Sequence, residues 1–237
     1  MSIKNINGID VVVLCGGLGS RLKGVIGEIP KVMVKIGDRS FLDILIENIS
    51  RFGFKRFVLC TGYKSDLIEK HYKDNNLGVD IVISKEKDLL GTGGAIKNAQ
   101  ELVNSDPFLV VNGDSSSGIN IKDFLSFHLD KQALISIGLA CISKSVDYGS
   151  ISLGRDQRIV KFQEKQEQEG CIYINAGIYL VNKEALFLMP NFDKFSLEYD
   201  FFPKILDKKI YGYIGQGDFL DIGTPDRYQK VKRLKSF

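Results

Sequence analysis

The sequence contains no long hydrophobic segment, and this absence excludes several classes of protein. No apolar run approaches the roughly 18 residues that a membrane-spanning helix requires. The amino-terminal MSIKNINGID also lacks the apolar core of a signal peptide. The net charge of +3 is far from the strongly basic balance that is typical of nucleic-acid-binding proteins. We therefore expect a cytoplasmic protein with no membrane and no nucleic acid as partner, and a small anionic substrate is compatible with this charge.

Cysteine and histidine are scarce. The two histidines, His71 and His128, lie in helical patterns, so we expect them to be surface or packing residues, and the sequence offers no convincing catalytic triad. The cysteines form no CxxC pair, and three of the four lie in apolar runs, as small hydrophobic residues do. This usage suits a reducing compartment. The four widely spaced cysteines are Cys15, Cys60, Cys141 and Cys171.

The chain is long enough for one substantial core. It has 237 residues, of which 44% are hydrophobic and 26% are charged. It contains no internal repeat, no low-complexity tract and no linker. We therefore expect a single domain over residues 1–237, and the sequence is compatible with a monomer or a homodimer.

Short β-branched apolar runs alternate with helical patterns in the first half of the chain. Ser40 and Asp43 form the capping signature of one helix, and Ser65 begins another. Strands that alternate with helices predict an α/β fold: a Rossmann-like, doubly wound, predominantly parallel mixed sheet with helices on both faces. The predicted strands are VVVL (11–14), RFVLC (56–60), VDIVIS (79–84) and PFLVV (107–111).

The pattern changes after residue 133, where strand-like segments follow each other closely. This spacing predicts an antiparallel addition to the sheet, with a hairpin around the polar EKQEQEG at 164–170. The last predicted element is a helix with Thr224 as its N-cap and Pro225 at its first position.

A glycine-rich turn, CGGLGSRL, follows the first predicted strand. In a parallel sheet, ligands collect at the carboxyl ends of strands, and glycines allow backbone N–H groups to approach phosphate oxygens. Arg21 and Lys31 add positive charge to this turn. The turn lacks the GK[ST] ending of a P-loop and the third glycine of GxGxxG, so it predicts a different phosphate loop. The alternative is a tight turn that carries a surface arginine.

Six motifs in order carry a resemblance to a known family. LCGGLGSRL, followed by Pro30 and Lys31, resembles the signature of sugar-1-phosphate nucleotidylyltransferases, which join a nucleoside triphosphate to a sugar 1-phosphate and release pyrophosphate. The segment LGTGGAI is similar to that of guanylyltransferases, and most similar to that of the short bacterial D-glycero-α-D-manno-heptose 1-phosphate guanylyltransferases. The other motifs are EKDLLGTGGAI (86–96), VNGD (111–114), FQEK (162–165), NAGIYL (175–180) and DIGTPDRY (221–228).

The resemblance implies a reaction that needs charge neutralisation more than a catalytic base. A phosphate oxygen of the sugar 1-phosphate attacks the α-phosphorus of the triphosphate, in line with the departing pyrophosphate. The expected triphosphate is GTP. Because this nucleophile is already an anion, catalysis consists of positioning and electrostatic stabilisation, assisted by Mg²⁺. The expected product is a nucleotide sugar for surface polysaccharide synthesis.

The resemblance also implies a set of site residues. Arg21 and Lys31 are expected to contact the triphosphate, and Asp114 and Asp221, each after a strand-like run, to hold Mg²⁺. Arg21, Lys31 and Asp114 are the expected catalytic residues. The expected nucleotide-binding residues are Leu14, Gly16, Gly17, Gly19, Ser20, Glu86, Gly91, Thr92, Gly93 and Asn112. The expected sugar-phosphate-binding residues are Gly149, Glu164, Lys165, Asn175, Gly177 and Glu198.

Several alternatives stay open at this point. Asp114 has the alternative of a turn aspartate, Asp221 that of a helix cap, and Glu164 with Lys165 that of a solvated strand edge. A Rossmann oxidoreductase would carry an acidic residue after its second strand, where this chain has Cys-Thr-Gly at 60–62. A non-catalytic sugar-nucleotide sensor, and an enzyme for mannose or glucose 1-phosphate with another triphosphate, are further candidates. The segment SSSGINI after VNGD departs from the bulky residue that relatives carry, which leaves the sugar open.

Overall fold

The computed structural model describes residues 6–75, 77–145, 147–164, 168–191 and 194–234. The strands are β1 (Asp10–Leu14), β2 (Lys35–Ile36), β3 (Arg39–Ser40), β4 (Arg56–Thr61), β5 (Asp80–Lys85), β6 (Phe108–Asn112), β7 (Ser115–Ser117), β8 (Ile135–Ser145), β9 (Ser150–Leu153), β10 (Ile159–Gln163), β11 (Gln168–Val181), β12 (Ile210–Ile214) and β13 (Phe219–Asp221). The α-helices are α1 (Lys23–Ile26), α2 (Phe41–Ser50), α3 (Ser65–Lys73), α4 (Gly91–Asn98), α5 (Ile121–Asp130), α6 (Glu184–Phe187) and α7 (Pro225–Lys232).

The four strands predicted in the first half form a parallel block of the main sheet, in the order β6-β1-β4-β5, and β12 also pairs parallel with β8. Along β1, side chains alternate between the two faces of the sheet. Val11 and Val13 pack in the cluster that includes residues of α2 and α3, whereas Val12 packs in the cluster that includes residues of α4. All three valines are fully buried. The predicted sheet with helices on both faces is confirmed.

Helix α2 begins where the sequence predicted it. The Ser40 side chain accepts a hydrogen bond from the Asp43 amide (3.0 Å), and the Asp43 carboxylate accepts one from the Ser40 amide (3.2 Å), which completes a capping box. Asp43 also accepts from the hydroxyl of Tyr72 (2.8 Å) and lies 2.9 Å from Nε2 of His71. These contacts fix α2 against α3, so His71 is a packing residue, as expected.

The antiparallel addition extends the sheet beyond β6. Strand β11 pairs antiparallel with β6, β8 and β9. The predicted hairpin between β10 and β11 is wrong, because β9 lies between these two strands in the sheet order. In the described part of the chain, β10 pairs with β9 instead, and the amide of Gly154 donates to the carbonyl of Arg158 (2.8 Å) in the turn that joins them. The edge of β10 that a hairpin with β11 would need is therefore paired with β9.

The expected cysteine usage needs one correction. Cys15 and Cys60 are buried, and burial raises the pKa of each thiol, so both stay neutral and pack as small hydrophobic residues in the core. Cys141 and Cys171, however, lie on the paired strands β8 and β11 with Cα atoms 5.5 Å apart and form a disulfide. The two residues are 30 positions apart, so only the strand pairing brings them together.

The remaining predictions for the fold concern the buried histidine and the last helix. His128 is buried, with its ring nitrogens 2.9 Å from Ser136 Oγ and 2.9 Å from Asn182 Oδ1, which is a packing role. Helix α7 begins at Pro225, and the Thr224 hydroxyl accepts from the amide of Arg227, as predicted.

Among the described residues, no helix combines the length and apolar character needed to cross a bilayer.

Candidate active site

The glycine-rich loop leaves the carboxyl end of β1 between two neighbouring strands. The amide of Cys15 donates to the carbonyl of Cys60 (2.8 Å), and the amide of Gly113 donates to the carbonyl of Leu14 (3.0 Å). These bonds fix the start of the loop at the point where β4 and β6 also end. The structure therefore places the loop at the edge of the sheet where ligands of α/β folds bind.

Two glycines of this loop lie close to residues from other parts of the chain. A Cβ on Gly16 would lie 2.6 Å from Oε1 of Glu86, so a side chain there would displace that carboxylate. Gly19 has φ +59°, and a Cβ there would lie 3.1 Å from Cβ of Lys31. The loop thus brings Glu86 and Lys31, from separate parts of the sequence, to its two ends.

A cavity of about 370 Å³ lies between the glycine loop and α4. Lys31 and Asp114 line it, and so do seven of the ten expected nucleotide-binding residues: Leu14, Gly16, Gly17, Glu86, Gly91, Thr92 and Asn112. Gly19, Ser20 and Gly93 are outside its lining. Leu89 and Lys194 also line the cavity and were missed, because an apolar residue and an exposed lysine in loops carry no distinctive pattern.

Besides Asp114, the first cavity contains a second acidic residue, Glu86. Its side chain is buried, and its Oε2 accepts a hydrogen bond from the amide of Leu90 (3.1 Å). Burial raises the pKa of Glu86, and the Leu90 amide only partly opposes this effect. A buried carboxylate beside the loop presents hydrogen-bond acceptors to a ligand in the cavity.

The glycines of LGTGG pack against the segment that begins at Lys194. Gly91 has φ +74°, and its Cβ would lie 2.6 Å from the carbonyl oxygen of Phe195. A Cβ on Gly93 would lie 2.1 Å from the Phe195 ring, and the amide of Gly93 donates to the same carbonyl (3.0 Å). Close packing against Phe195 therefore accounts for the absence of side chains at these positions.

A second cavity, of about 180 Å³, adjoins the first. The two cavities share Asn112 and Asp114, so Asp114 lies where they meet. The predicted residues that line the second cavity are Arg21, Asn112, Asp114, Asn175, Gly177 and Asp221. Arg21, expected at the triphosphate, thus lines the second cavity and is not part of the lining of the first.

Asp114 lies in the turn between β6 and β7, next to Asp221, the last residue of β13. Asp221 is opposite Ser115 in the β7–β13 ribbon, and the amide of Ile222 donates to the carbonyl of Asp114 (3.0 Å). The Asp114 carboxylate forms an ion pair with Lys31. The sequence therefore identified three charged residues that the fold brings together.

Asp221 has partners that the sequence reasoning missed. Its Oδ1 accepts from the amide of Gly223 (2.7 Å) and lies 3.3 Å from Nη1 of Arg227, and its Oδ2 accepts from the hydroxyl of Tyr148. The other guanidinium nitrogen, Nη2, lies 2.6 Å from Asp147. Arg227 stands within the motif DIGTPDRY, so its charge was visible, but its partners lie on distant segments.

A chain of hydrogen bonds links the two cavities below their surface. The Thr92 hydroxyl donates to Glu198 (2.8 Å), and so does the hydroxyl of the buried Tyr179 (3.1 Å). Asn175 donates to the Tyr179 hydroxyl (2.8 Å) and accepts from the amide of Gly177 (2.9 Å). Glu198 thus supports both the LGTGG segment and the second cavity from behind.

The remaining predicted sugar-phosphate residues lie at a strand edge. A Cβ on Gly149 would lie 2.8 Å from the carbonyl oxygen of Gln163, and the exposed Glu164 follows Gln163 directly. Neither Gly149 nor Glu164 lines either cavity. Lys165 lies outside the described residues, so its predicted role stays a prediction.

The donor set at Asp114 and Asp221 suits a magnesium ion. In the residues that the structure describes, no group of three or more acidic, histidine or cysteine side chains gathers into a complete metal site. Mg²⁺ does not require one, because it binds through one or two carboxylates and completes its shell with substrate phosphates and water. An aspartate in the β6–β7 turn and a second at the end of the adjoining β13 match that requirement.

Comparisons with known proteins agree with this geometry. Residues 10–235 match the nucleotidyl transferase family. A D-glycero-α-D-manno-heptose 1-phosphate guanylyltransferase of Aneurinibacillus thermoaerophilus is 35% identical over 227 residues, which are 95% of this chain and 97% of that protein. A protein of the same name from Campylobacter jejuni is 34% identical over 222 residues, 93% of this chain and 97% of that protein.

A solved structure is similar throughout. The crystal structure of HddC from Yersinia pseudotuberculosis superposes with a TM-score of 0.85 at 37% identity, covering 94% of this chain and 98% of HddC. HddC has also been solved in complex with GMP-PN, with the same similarity to this chain. The resemblance inferred from the six motifs is confirmed, and the chain belongs to the nucleotidyl transferase family.

Proposed function

We propose that this chain is a guanylyltransferase that joins GTP to a heptose 1-phosphate and releases pyrophosphate. The observation that carries the proposal is the meeting of the two cavities at Asp114, beside Lys31. One cavity has a glycine-rich loop for phosphates, and the other adjoins it with polar side chains. Such an arrangement brings two phosphorylated substrates together at one charged point.

The first cavity binds the nucleotide in this proposal. Guanine carries two adjacent donors, N1–H and the N2 amino group, and a carboxylate offers two acceptors at matching spacing. Glu86 lies at the loop end of the cavity and is the acidic side chain placed to accept them. Adenine lacks this donor pair, so Glu86 supports a preference for guanine.

The charged residues neutralise the phosphates. Lys31 lines the first cavity, which we call the nucleotide cavity, and Arg21 lines the second, which we call the sugar-side cavity. The two cations therefore flank the point where the α-phosphate meets the sugar phosphate. Asp114 and Asp221 would hold Mg²⁺, which supplies further neutralisation of phosphate charge when bound. The chain itself contributes position and fixed charge rather than a covalent intermediate.

The second cavity binds the sugar 1-phosphate. One of its phosphate oxygens forms a bond to the α-phosphorus of GTP, and the bond from that phosphorus to the bridging oxygen of the pyrophosphate breaks. The leaving group carries the electron pair away as pyrophosphate, so no protein group needs to give or take a proton. Asn175, held by Tyr179 and Gly177, presents its amide group to the sugar side of this cavity.

The sugar and the biological setting rest on the relatives. Two relatives of nearly the same length are named as heptose 1-phosphate guanylyltransferases, and they motivate heptose over mannose or glucose. A surface polysaccharide pathway and a cytoplasmic location, where GTP is available, are parts of the same proposal. A non-catalytic sensor is disfavoured because Arg21, Lys31 and both aspartates are present.

The experiment is a measurement of pyrophosphate release by the purified protein with Mg²⁺. GTP, ATP, CTP and UTP are each combined with heptose, mannose and glucose 1-phosphates. The proposal predicts the highest kcat/KM for GTP with the heptose 1-phosphate. Faster pyrophosphate release with another pair of triphosphate and sugar 1-phosphate would reassign the substrates. Release with no pair would contradict the enzymatic function and favour a non-catalytic sensor.

A further inference from the structure

Arg227 occupies the sugar-side cavity in a position that none of the predicted roles uses. It lies in the first turn of α7, and its guanidinium reaches two carboxylates from different parts of the chain. Nη1 lies 3.3 Å from Oδ1 of Asp221, and Nη2 lies 2.6 Å from Oδ2 of Asp147. One cation is therefore shared between two acids.

An aromatic ring supports the shared guanidinium. The centre of the guanidinium lies 4.5 Å from the centroid of the Tyr148 ring, within the range of a cation–π contact. The Tyr148 hydroxyl donates to the other oxygen of Asp221, and its ring meets Phe219 edge-on at 5.8 Å. Tyr148 thus holds Asp221 in place and gives the guanidinium a flat surface between its two partners.

The two carboxylates differ in exposure. The side chain of Asp221 is 12% exposed, whereas that of Asp147 is 58% exposed. A charge pair is screened less where water is excluded, so the positive charge of Arg227 acts strongly on Asp221. Its contact with Asp147 is nevertheless shorter. Asp147 therefore competes with Asp221 for the same guanidinium.

We propose that Arg227 is an internal counter-ion of Asp221 that competes with a divalent cation for this carboxylate, and that Asp147 draws Arg227 away and so permits the cation to bind. This inference rests on the proposed role of Asp221 as a metal ligand. Arg227 is a positioning residue in this account, because it acts on the metal site through Asp221.

The proposal predicts that removal of the Arg227 charge and removal of the Asp147 charge change the affinity for the cation in opposite directions. A cation at Asp221 is repelled by the charge of Arg227, so removal of that charge strengthens cation binding. Removal of the charge of Asp147 leaves Asp221, among the described residues, as the carboxylate that pairs with Arg227, and so weakens cation binding. A purely structural role for the cluster would weaken binding in both variants, since both would loosen the site.

The test measures the affinity of the protein for Mn²⁺ alone, as the concentration of free Mn²⁺ seen by electron paramagnetic resonance. Arg227→Met is expected to tighten Mn²⁺ binding about threefold to tenfold, and Asp147→Asn to weaken it by about twofold to fivefold. Matched controls are Asp226→Asn in α7 and Arg233→Met directly after this helix, both exposed, and each should leave the affinity unchanged. Arg227→Gln serves as a second neutral variant, with the same expected tightening, should the methionine variant unfold.

The outcomes separate this inference from the proposed function. Asp221→Asn must weaken Mn²⁺ binding if Asp221 is a ligand. If it does, while the variants of Arg227 and Asp147 shift the affinity in one direction or not at all, the counter-ion role is overturned and the metal site stands. If Asp221→Asn leaves Mn²⁺ binding intact, the proposed metal site is wrong, and the inference about Arg227 is overturned with it.

Discussion

The hydroxyl of Thr92 lies 2.8 Å from Oε2 of Glu198 and also accepts a hydrogen bond from the amide of Leu197 (2.8 Å). Thr92 belongs to the segment that lines the nucleotide cavity, and Glu198 is bonded to Tyr179, which holds Asn175 of the sugar-side cavity. The Thr92 hydroxyl is therefore connected, through Glu198 and Tyr179, to Asn175 of the sugar-side cavity.

Replacement of Thr92 by valine tests this link. Valine keeps the shape of threonine but removes both hydrogen bonds, and a buried polar group left without its partner costs about 1–3 kcal/mol. We expect kcat/KM to fall about tenfold to a hundredfold, whereas Thr92→Ser, which keeps the hydroxyl, should retain most of the activity. Equal activity of the valine and serine variants in the pyrophosphate assay would show that these hydrogen bonds do not contribute to activity.

Glu86→Gln tests the choice of base. Glutamine presents one acceptor and one donor, so it can satisfy only one of the two guanine donors. A well-formed bidentate contact discriminates between bases by about 1–3 kcal/mol. We therefore expect the ratio of kcat/KM for GTP to that for ATP to fall about tenfold to a hundredfold. An unchanged ratio would assign guanine selection to another part of the cavity.

The raised pKa of Glu86 predicts a pH dependence of GTP binding. Only the ionised carboxylate accepts both guanine donors, and burial makes Glu86 take up a proton at a higher pH than an ordinary glutamate. GTP affinity should therefore decline as the pH falls towards that pKa. Comparison with Glu86→Gln removes the contribution of phosphate protonation, because the variant keeps the phosphates and lacks the carboxylate. Parallel pH profiles for the two proteins would contradict this role.

Arg21→Ala tests the electrostatic part of the mechanism. By comparison with the loss of one preorganised oxyanion donor, kcat should fall about 10²- to 10³-fold. The arginine is exposed, so the variant should fold normally. Arg51, whose guanidinium bonds to Asn48 (3.2 Å), lines neither cavity, and Arg51→Ala is the matched control. A comparable loss in both variants would point to general charge effects rather than to the site.

Asp43→Asn tests the stability of the α2–α3 contact. Burial alone would raise the pKa of Asp43, but hydrogen bonds from His71, Tyr72 and Ser40 outweigh it and hold the pKa below its ordinary value. The ionised form therefore stabilises the fold above the unfolded pKa, and this stabilisation is lost as the pH falls through the lower folded pKa. We expect the variant to lose about 2–4 kcal/mol of unfolding free energy at pH 7. In urea titrations the difference should shrink below about pH 4.

The parallel half of the fold was predictable because its signals are local. Each strand is a short β-branched run, and Ser40 and Asp43 mark a helix start within four residues. Strand neighbours in the antiparallel half depend on the whole sheet, so the order β10-β9-β11 and the pairing of Cys141 with Cys171 could not be read from spacing.

The same distinction applies to the site. The motifs identified Lys31, Asp114 and Asp221 as charged residues at strand or loop ends, and the fold brings them to one place. The bond from Arg227 to Asp147 spans 80 residues, so no local pattern reveals it. The resemblance implied Gly91 and Gly93 as nucleotide-binding residues, and the structure adds the Phe195 segment, which excludes a side chain at both positions.

The most direct test of the central claim is pyrophosphate release from GTP and a heptose 1-phosphate with Mg²⁺, measured for the wild-type protein and for Asp114→Ala combined with Asp221→Ala. If phosphate transfer depends on these two carboxylates, the wild-type protein forms one pyrophosphate for each nucleotide sugar, and the double variant loses about 10³-fold or more in kcat. Undiminished activity of the double variant would contradict the account.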